Sequence, residues 1–312
     1  MTINAVIIAD SINADTKKRI TTYELEYPRI IHAELLTHRI FSRNSASSRA
    51  IPIEKMLETI QNNTAAPSHW GKNQAGMQAD VELSGTQLHN VQKYWYRACA
   101  DAVHWSSAMH KEGAHKQVAN RLTEPFQHMK VVLTSTEFNN FWWLRDHKDA
   151  DPTIAELAKK MLIEFDNSKP RELQAGEWHL PYISTYRKIN NALGYYTNNP
   201  SNNELMEITE EEAIIISVSC CAQVSYRRSD TSLDKAKMIY NRLIESEPCH
   251  ASPLEHVAKC LDISLVMKSK DNDPSTWEDG ITHMDKESNM WSNNLQGWIQ
   301  YRALVPNNYK QG

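Results

Sequence analysis

The stretch LLTHRIFSRNSASSRAIP, residues 35–52, gathers His38, Arg39, Arg43 and Arg49 among Ser42, Asn44, Ser45, Ser47 and Ser48. Guanidinium forks bind phosphate and carboxylate in bidentate fashion, and hydroxyls with backbone N–H groups complete such an anion site. A solvated turn capped by Ser and Asn is the plainer reading of the same residues. Two more arginines bear on the choice. Arg121 lies in HKQVANRLTEP and Arg145 in FNNFWWLRDHKDAD, each on an expected helix among largely apolar neighbours. A guanidinium on a buried face needs a partner, either a carboxylate or the anion of a ligand.

A second cluster, CHASPLEHVAKC, holds Cys249, His250, His256 and Cys260. His256 and Cys260 stand four apart, as two zinc ligands on one helix face do. The spacing matches no common zinc pattern, and Ser252–Pro253 put a helix start in the middle, so a zinc hydrolase is kept only as an alternative and no metal is expected. Ser252 and Glu255 have the spacing of a capping box. The same helix start, with its free N–H groups, could face a phosphate-bearing cofactor. No nucleophile stands out. Ser47 and His38 lack a third, orienting residue, and Cys220 with Cys221 lies in an apolar run where thiols are usually inert. Chemistry without a protein nucleophile points to a cofactor for the hard step.

The elements that position these residues follow from periodicity. Asn4–Ala9 and RITTYELEY, residues 19–27, read as strands. From Pro28 the pattern turns helical through Ile31, Leu35 and His38, and a helix restarts after Pro52. Residues 64–85 are loop-like. Residues 87–122 read as a long helix broken near Gly113 and ended by Pro125. VVLTSTEFNNFWWLR reads as a strand end feeding a helix, with Thr134 and Glu137 at capping-box spacing. Asp151 before Pro152 is an N-cap and first-turn pair opening the next helix. AIIISVSCCAQVSY is buried but fits strand or helix, TSLDKAKMIYNRLIES is an amphipathic helix, and LQGWIQYRALV reads as a final helix. Residues 168–210 are irregular, an insertion or connection within a single domain spanning 1–312. The class is α/β or mixed α+β, helix-rich around a central mixed sheet.

Bulk composition bounds the function. A net charge of −4 gives no global basic field for a nucleic acid polymer, so anion binding must be local. With nine glycines and neither GxGxxG nor GxxxxGK[ST], the usual glycine-rich phosphate cradles are missing. Five cysteines make no disulfide framework. No basic start followed by an apolar segment opens the sequence, and no apolar run approaches a membrane span. The expected setting is the cytoplasm, with no membrane insertion.

Several stretches together resemble the flavin-dependent thymidylate synthases. The family signature R-H-R-x-x-S-x-N-E-x-S-x-R-Y is matched in THRIFSRNSASSRA by His38, Arg39, Ser42, Asn44, Ser47 and Arg49, with Thr37, Ser45 and Ala50 departing. N-L-R-x-x-x-x-A-Q-x-E-I resembles WWLRDHKDADPTI through Leu144, Arg145, Ala150 and Ile154, with Asp151 and Thr153 in place of Gln and Glu. A-R-x-x-L-P resembles ANRLTEP with Arg121 and Pro125. A-R-V-S-Y and H-x-[ST]-P-F-E-H resemble AQVSY and HASPLEH through Ser225, Tyr226, His250, Ser252, Pro253, Glu255 and His256. The last two segments precede the R-H-R segment in the ordinary family and follow it here. This order is that of a circular permutation, associated with phage-type members, for which the host cytoplasm is the setting.

The resemblance implies a mixed α/β homotetramer with sites shared between subunits, and reductive C5 methylation of dUMP to dTMP with FAD, NADPH and 5,10-methylenetetrahydrofolate. Carried onto this sequence, Ser47 and Arg49, with Ser45 and Ser48 beside them, hold the nucleotide, Arg121 its phosphate and Glu34 the substrate. Arg145 lies against the pyrimidine and, with Arg49 and His250, forms the catalytic set. His38, Arg39, Ile40, Thr134, Thr136, Asn140, Ser225, Ser252 and Glu255 line the FAD site. Asp151 is a specificity candidate. A carboxylate near the base favours a cytosine amine, so dCMP in place of dUMP, or a hydroxymethyl product, stays open, as does a non-catalytic nucleotide- or flavin-binding homologue.

Overall fold

The computed structural model describes residues 3–198, 204–224, 231–264, 273–306 and 308–309. Helix and sheet are mixed throughout. The central sheet has five strands: β1 (Asn4–Asn13), β2 (Arg19–Pro28), β3 (Ser42–Ser45), β4 (His128–Ser135) and β5 (Arg171–Leu173), in the order β3-β4-β2-β1-β5. All neighbours are antiparallel except β1 and β5, which run parallel.

Alternation along β2 divides the sheet. Tyr23, Leu25 and Tyr27 face one side, with Met129, Val131 and Leu133 of β4 beside them. They bury the apolar faces of α1 (His32–Leu36), α5 (Asn139–Arg145) and α6 (Pro152–Asn167) through Leu35, Phe138, Phe141, Ile154, Leu157 and Met161. The opposite side carries Thr22 and Thr134, in register across β2 and β4. Against it lies a small sheet of β6 (Trp178–His179), β10 (Ala258–Cys260) and β14 (Trp298–Gln300), in the order β14-β10-β6. The 3-10 turn Ser252–His256 lies against this side of the sheet, touching β3 and β4.

This second interface is polar at its centre. Ser11 Oγ is hydrogen-bonded to His179 Nδ1 (2.9 Å), His179 Nε2 to Thr22 Oγ1 (2.8 Å), Thr22 to Thr134 (2.7 Å) and Thr134 to His256 Nδ1 (2.8 Å), every link buried. Burial pushes His179 down to about 4 and His256 to about 3. Both rings are therefore neutral at pH 7, each with one donor and one acceptor nitrogen, which is what a continuous chain of hydroxyls and imidazoles requires.

The helices past β3 form a separate group. α2 (Ile53–Asn62) and α3 (Gly85–Lys111) pack through Met56, Ile60, Cys99, Val103 and Phe126. Glu112 and Gly113 close α3, with Gly113 at φ +88°, a left-handed stop that glycine tolerates. α4 (Lys116–Ala119) and a 3-10 run Asn120–Phe126 lead into β4.

Three sequence expectations change. Thr134 caps nothing: it sits inside β4 and its hydroxyl serves the buried chain, while α5 begins at Phe138 without a side-chain cap. Ser252–His256 is a 3-10 turn whose N-cap is Ala251, and Ser252 donates instead to Asn44 Oδ1 (3.3 Å). LQGWIQYRALV is mostly strand. Gly297 at φ +71° turns the chain between β13 (Leu295–Gln296), which forms a small sheet with β11 (His283–Met284) and β12 (Met290–Ser292), and β14, where Trp298 and Ile299 are buried, and only Tyr301–Leu304 is helical.

The described residues within 168–210 form β5, β6 and a three-stranded sheet of β7 (Ser184–Arg187), β8 (Leu193–Asn198) and β9 (Leu205–Ile208). The ambiguous apolar run after it is the helix α7 (Glu210–Ala222), opened by a full capping box of Thr209 and Glu212.

Asp151 is the N-cap of α6, its Oδ1 accepting from Thr153 N (2.8 Å) and Ile154 N (3.3 Å). Asp151→Ala is expected to cost about 1 kcal/mol, measurable by urea denaturation. A loss indistinguishable from zero contradicts the cap.

Candidate functional site

Two clusters of the expected residues form, one on each side of β3. The first is built on Arg145 in the last turn of α5. Its Nε donates to His38 Nε2 (2.9 Å), Nη1 to Glu34 Oε2 (2.9 Å) and Nη2 to Thr37 Oγ1 (3.3 Å). Three acceptors from one stretch of chain thus fix the guanidinium plane. α1 supplies Glu34, and the turn after it supplies Thr37 and His38.

His38 is buried, stacked on Phe41 and edge-on to Phe141. Burial first, then the cations Arg145 and Arg43, pushes it down to about 4. A neutral ring that accepts at Nε2 carries its proton on Nδ1. Arg43 holds the same turn from the other side, donating to the carbonyls of Leu35 and His38 (3.1 Å each). Glu34 and Arg145 open onto a cavity of about 710 Å³, lined also by residues of the 69–80 loop and by Lys148–Pro152. Asp151 lines it as well as capping α6. The size is that of a small-molecule site.

The second cluster is a cationic surface. Residues 47–50 form a turn in which Ala50 N donates to Ser47 O (3.0 Å) and Arg49 N to Ser47 Oγ (3.3 Å). The buried Asn120 clamps that turn, its Nδ2 reaching Ser48 O (2.8 Å) and Ile51 O (3.2 Å), and Lys116 Nζ reaches Ala50 O (3.0 Å). Arg121 follows Asn120 directly. Its side chain is 62% exposed and meets only Glu124 (3.4 Å), among the described residues. Arg49 is exposed and its guanidinium makes no hydrogen bond among the described residues. Asn120 and Lys116 were not singled out from sequence. Nothing local marks Asn120, whose partners lie 72 and 69 residues away.

β3 is four residues long, which puts roughly 13 Å of strand between the clusters. Ser45 ends β3, paired with Val131. Arg39 and Asn140 are exposed, and Ile40 is half-buried with its carbonyl accepting from Asn294 Nδ2 (2.8 Å). Glu255 is ion-paired with Arg302, and Ser252 is bound to Asn44. Thr134 and Thr136 are buried, the first in the hydroxyl–imidazole chain, the second accepting from Gln296 N (3.1 Å). His250 is exposed, and its ring has no hydrogen bond among the described residues. Ser225 and Tyr226 lie outside the described residues.

Among the described residues no three His, Cys, Asp or Glu side chains converge as a metal site. His256 Nδ1 and Cys260 Sγ turn to Thr134 and to Leu173 O respectively. No described helix is long and apolar enough to cross a membrane.

No family model matches the chain, and no curated protein does. Solved structures are similar to it. A UMP/dUMP methylase, PolB from Streptomyces cacaoi, bound with 5-Br UMP, is 12% identical, over 53% of this chain and 88% of that one, at a TM-score of 0.43. The same methylase bound with 5-Br dUMP is 12% identical over the same shares, at a TM-score of 0.40. Likeness at this level carries no reading of activity, which rests on the residues themselves.

Proposed function

We propose that this protein is a flavin-dependent thymidylate synthase-like enzyme with permuted motif order that methylates C5 of a pyrimidine deoxynucleoside monophosphate, dUMP to dTMP. The observation that carries the reading is the Arg145 guanidinium, held at 2.9 Å by Glu34 and by a neutral His38 on the wall of a nucleotide-sized cavity. Two of the three residues, His38 and Arg145, match the family's signature stretches.

FAD, when bound, supplies the hydride, with methylenetetrahydrofolate as one-carbon donor and NADPH as reductant. Arg39 and Asn140 fit such a group: both are exposed, on adjoining segments tied by the contacts of His38 and Phe41 with Phe141. Thr134 and Thr136 do not present their hydroxyls to it, since both are spent inside the fold. Arg145 has N–H groups left after its three bonds, and these donate to a base carbonyl and stabilise negative charge developing on the ring. His38, neutral, orients Arg145 without competing for the anion. Arg49, Lys116 and Arg121 give a phosphate site on the far side of β3.

The family resemblance, not the geometry of one chain, is what implies a site shared between copies in a homotetramer. A second reading, dCMP as the substrate, is favoured by the carboxylates of Glu34 and Asp151 on the cavity wall.

The test is optical. Purified protein reconstituted with FAD is expected to be yellow, to bleach with NADPH, and to show a dUMP-dependent change in flavin absorbance. Arg49→Ala and Arg121→Ala are each expected to weaken dUMP roughly tenfold or more, as loss of a charge-assisted hydrogen bond does. Protein that stays colourless, or dUMP binding untouched by both variants, overturns the reading.

A further inference from the structure

Two side-chain amides near the end of the fold bind the backbone of the signature turn. Asn294 Nδ2 donates to Ile40 O (2.8 Å) and to Ser42 Oγ (3.0 Å). Gln300, buried in β14, shares the hydrogens of its Nε2 among Asn294 Oδ1 (2.9 Å), Ser42 Oγ (3.2 Å) and Glu255 O (3.3 Å). Its Oε1 accepts from Asn293 Nδ2 (2.8 Å), which fixes which end of the amide is the donor. Two residues on, Arg302 is ion-paired with the Glu255 carboxylate.

Gln300 therefore ties two segments that are remote in sequence. One amide holds Ser42 on the first and Glu255 on the second. The first segment is anchored on both sides of Arg39. His38 is held through its ring by Arg145 and through its carbonyl by Arg43, and Ile40 through its carbonyl by Asn294. Arg39 itself is exposed, and its guanidinium makes no hydrogen bond among the described residues. The fixed bonds thus go to the backbone around the one side chain left free to meet a ligand.

We infer that Asn294 and Gln300 are positioning residues for the cofactor site. They set where Arg39 stands and how far its turn lies from the Ser252–His256 turn. The inference rests on the proposed function, in which Arg39 meets FAD. Both amides act through the groups they hold, Ile40 O, Ser42 Oγ and Glu255 O. Filling the core would ask only for side chains of this volume, whereas positioning asks for the amide hydrogens. A turn held in place before binding spares the ligand the cost of ordering it.

FAD affinity, read by quenching of flavin fluorescence in the full chain, tests this. Asn294→Leu and Gln300→Met keep the side-chain volume and remove the donors. Each is expected to weaken FAD about tenfold. Ser217→Ala is the control: it removes a buried hydrogen bond to Pro181 O (2.7 Å) far from both turns, and FAD affinity is expected to stay as it was. Arg39→Ala with Asn294→Leu is expected to bind FAD little less tightly than Arg39→Ala alone, because Asn294 acts through the turn that carries Arg39. Variants at 294 and 300 that hold FAD as well as Ser217→Ala does, or a loss at Asn294 that adds in full to the loss at Arg39, overturn the inference while leaving the proposed function in place. Unaltered protein that binds no FAD overturns the proposed function, and the inference with it.

Discussion

As the pH falls from about 6.5 to about 4.5, the protein is expected to lose on the order of 5 kcal/mol of stability, through His179 and His256 alone. Both rings are fully buried in the layer between the two sheets, and burial is the first cause of their depressed values, about 4 and about 3. The unfolded chain takes up protons on these groups near the ordinary value of 6.5. The folded chain does not until well below it. In that window the unfolded state binds more protons, so stability is whole above the unfolded value and drains as the pH drops towards the folded ones. Each group contributes about 1.4 kcal/mol per pH unit. His32, also pushed down to about 4 by burial and by Arg29 and Arg43, adds in the same direction.

Urea denaturation across this range measures the slope. His256→Gln is expected to reduce it by about one proton while leaving the His179 part. A stability flat between these pH values contradicts the neutral hydroxyl–imidazole chain.

Arg145→Ala is expected to lower nucleotide turnover by about 10²–10³-fold, the usual loss when one preorganised donor to a developing anion is removed. Arg145→Lys is expected to recover little. An ammonium cannot reach His38, Glu34 and Thr37 with three donors in one plane. The same substitution has a second effect that needs no turnover. Arg145 is one of the two cations holding His38 down, after burial. Without it, His38 is expected to titrate higher, though still below an ordinary histidine because the ring stays buried against Phe41 and Phe141. A histidine-resolved NMR titration of Arg145→Ala measures this. An unmoved His38 contradicts the pairing.

Local features of the sequence were legible and distant ones were not. Asp151 before Pro152 announced its helix because an N-cap is decided within three residues. β1 and β2 were visible from alternation and branched residues. α7 was ambiguous by periodicity, yet Thr209 and Glu212 carried a capping signal that settles it. Thr134 misled for the opposite reason. Its spacing to Glu137 imitates a capping box, while its real partners, Thr22 and His256, lie 112 and 122 residues away.

The candidate site divides in the same way. Residues 35–52 stood out as an anion-binding stretch, but the union of His38 with Arg145 spans 107 residues and is made by packing of the turn after α1 on α5. Composition could flag the arginines. Only the fold tells that Arg145 is already gripped by three acceptors while Arg49 is open to solvent.

The most direct test of the central claim is the mass of the nucleotide product. Protein incubated with FAD, NADPH, methylenetetrahydrofolate and dUMP is expected to return a nucleotide heavier by one CH₂ unit, with the added carbon at C5, and Arg145→Ala to return almost none. Unchanged nucleotide mass with dUMP and with dCMP alike, from protein that holds its flavin, contradicts the account.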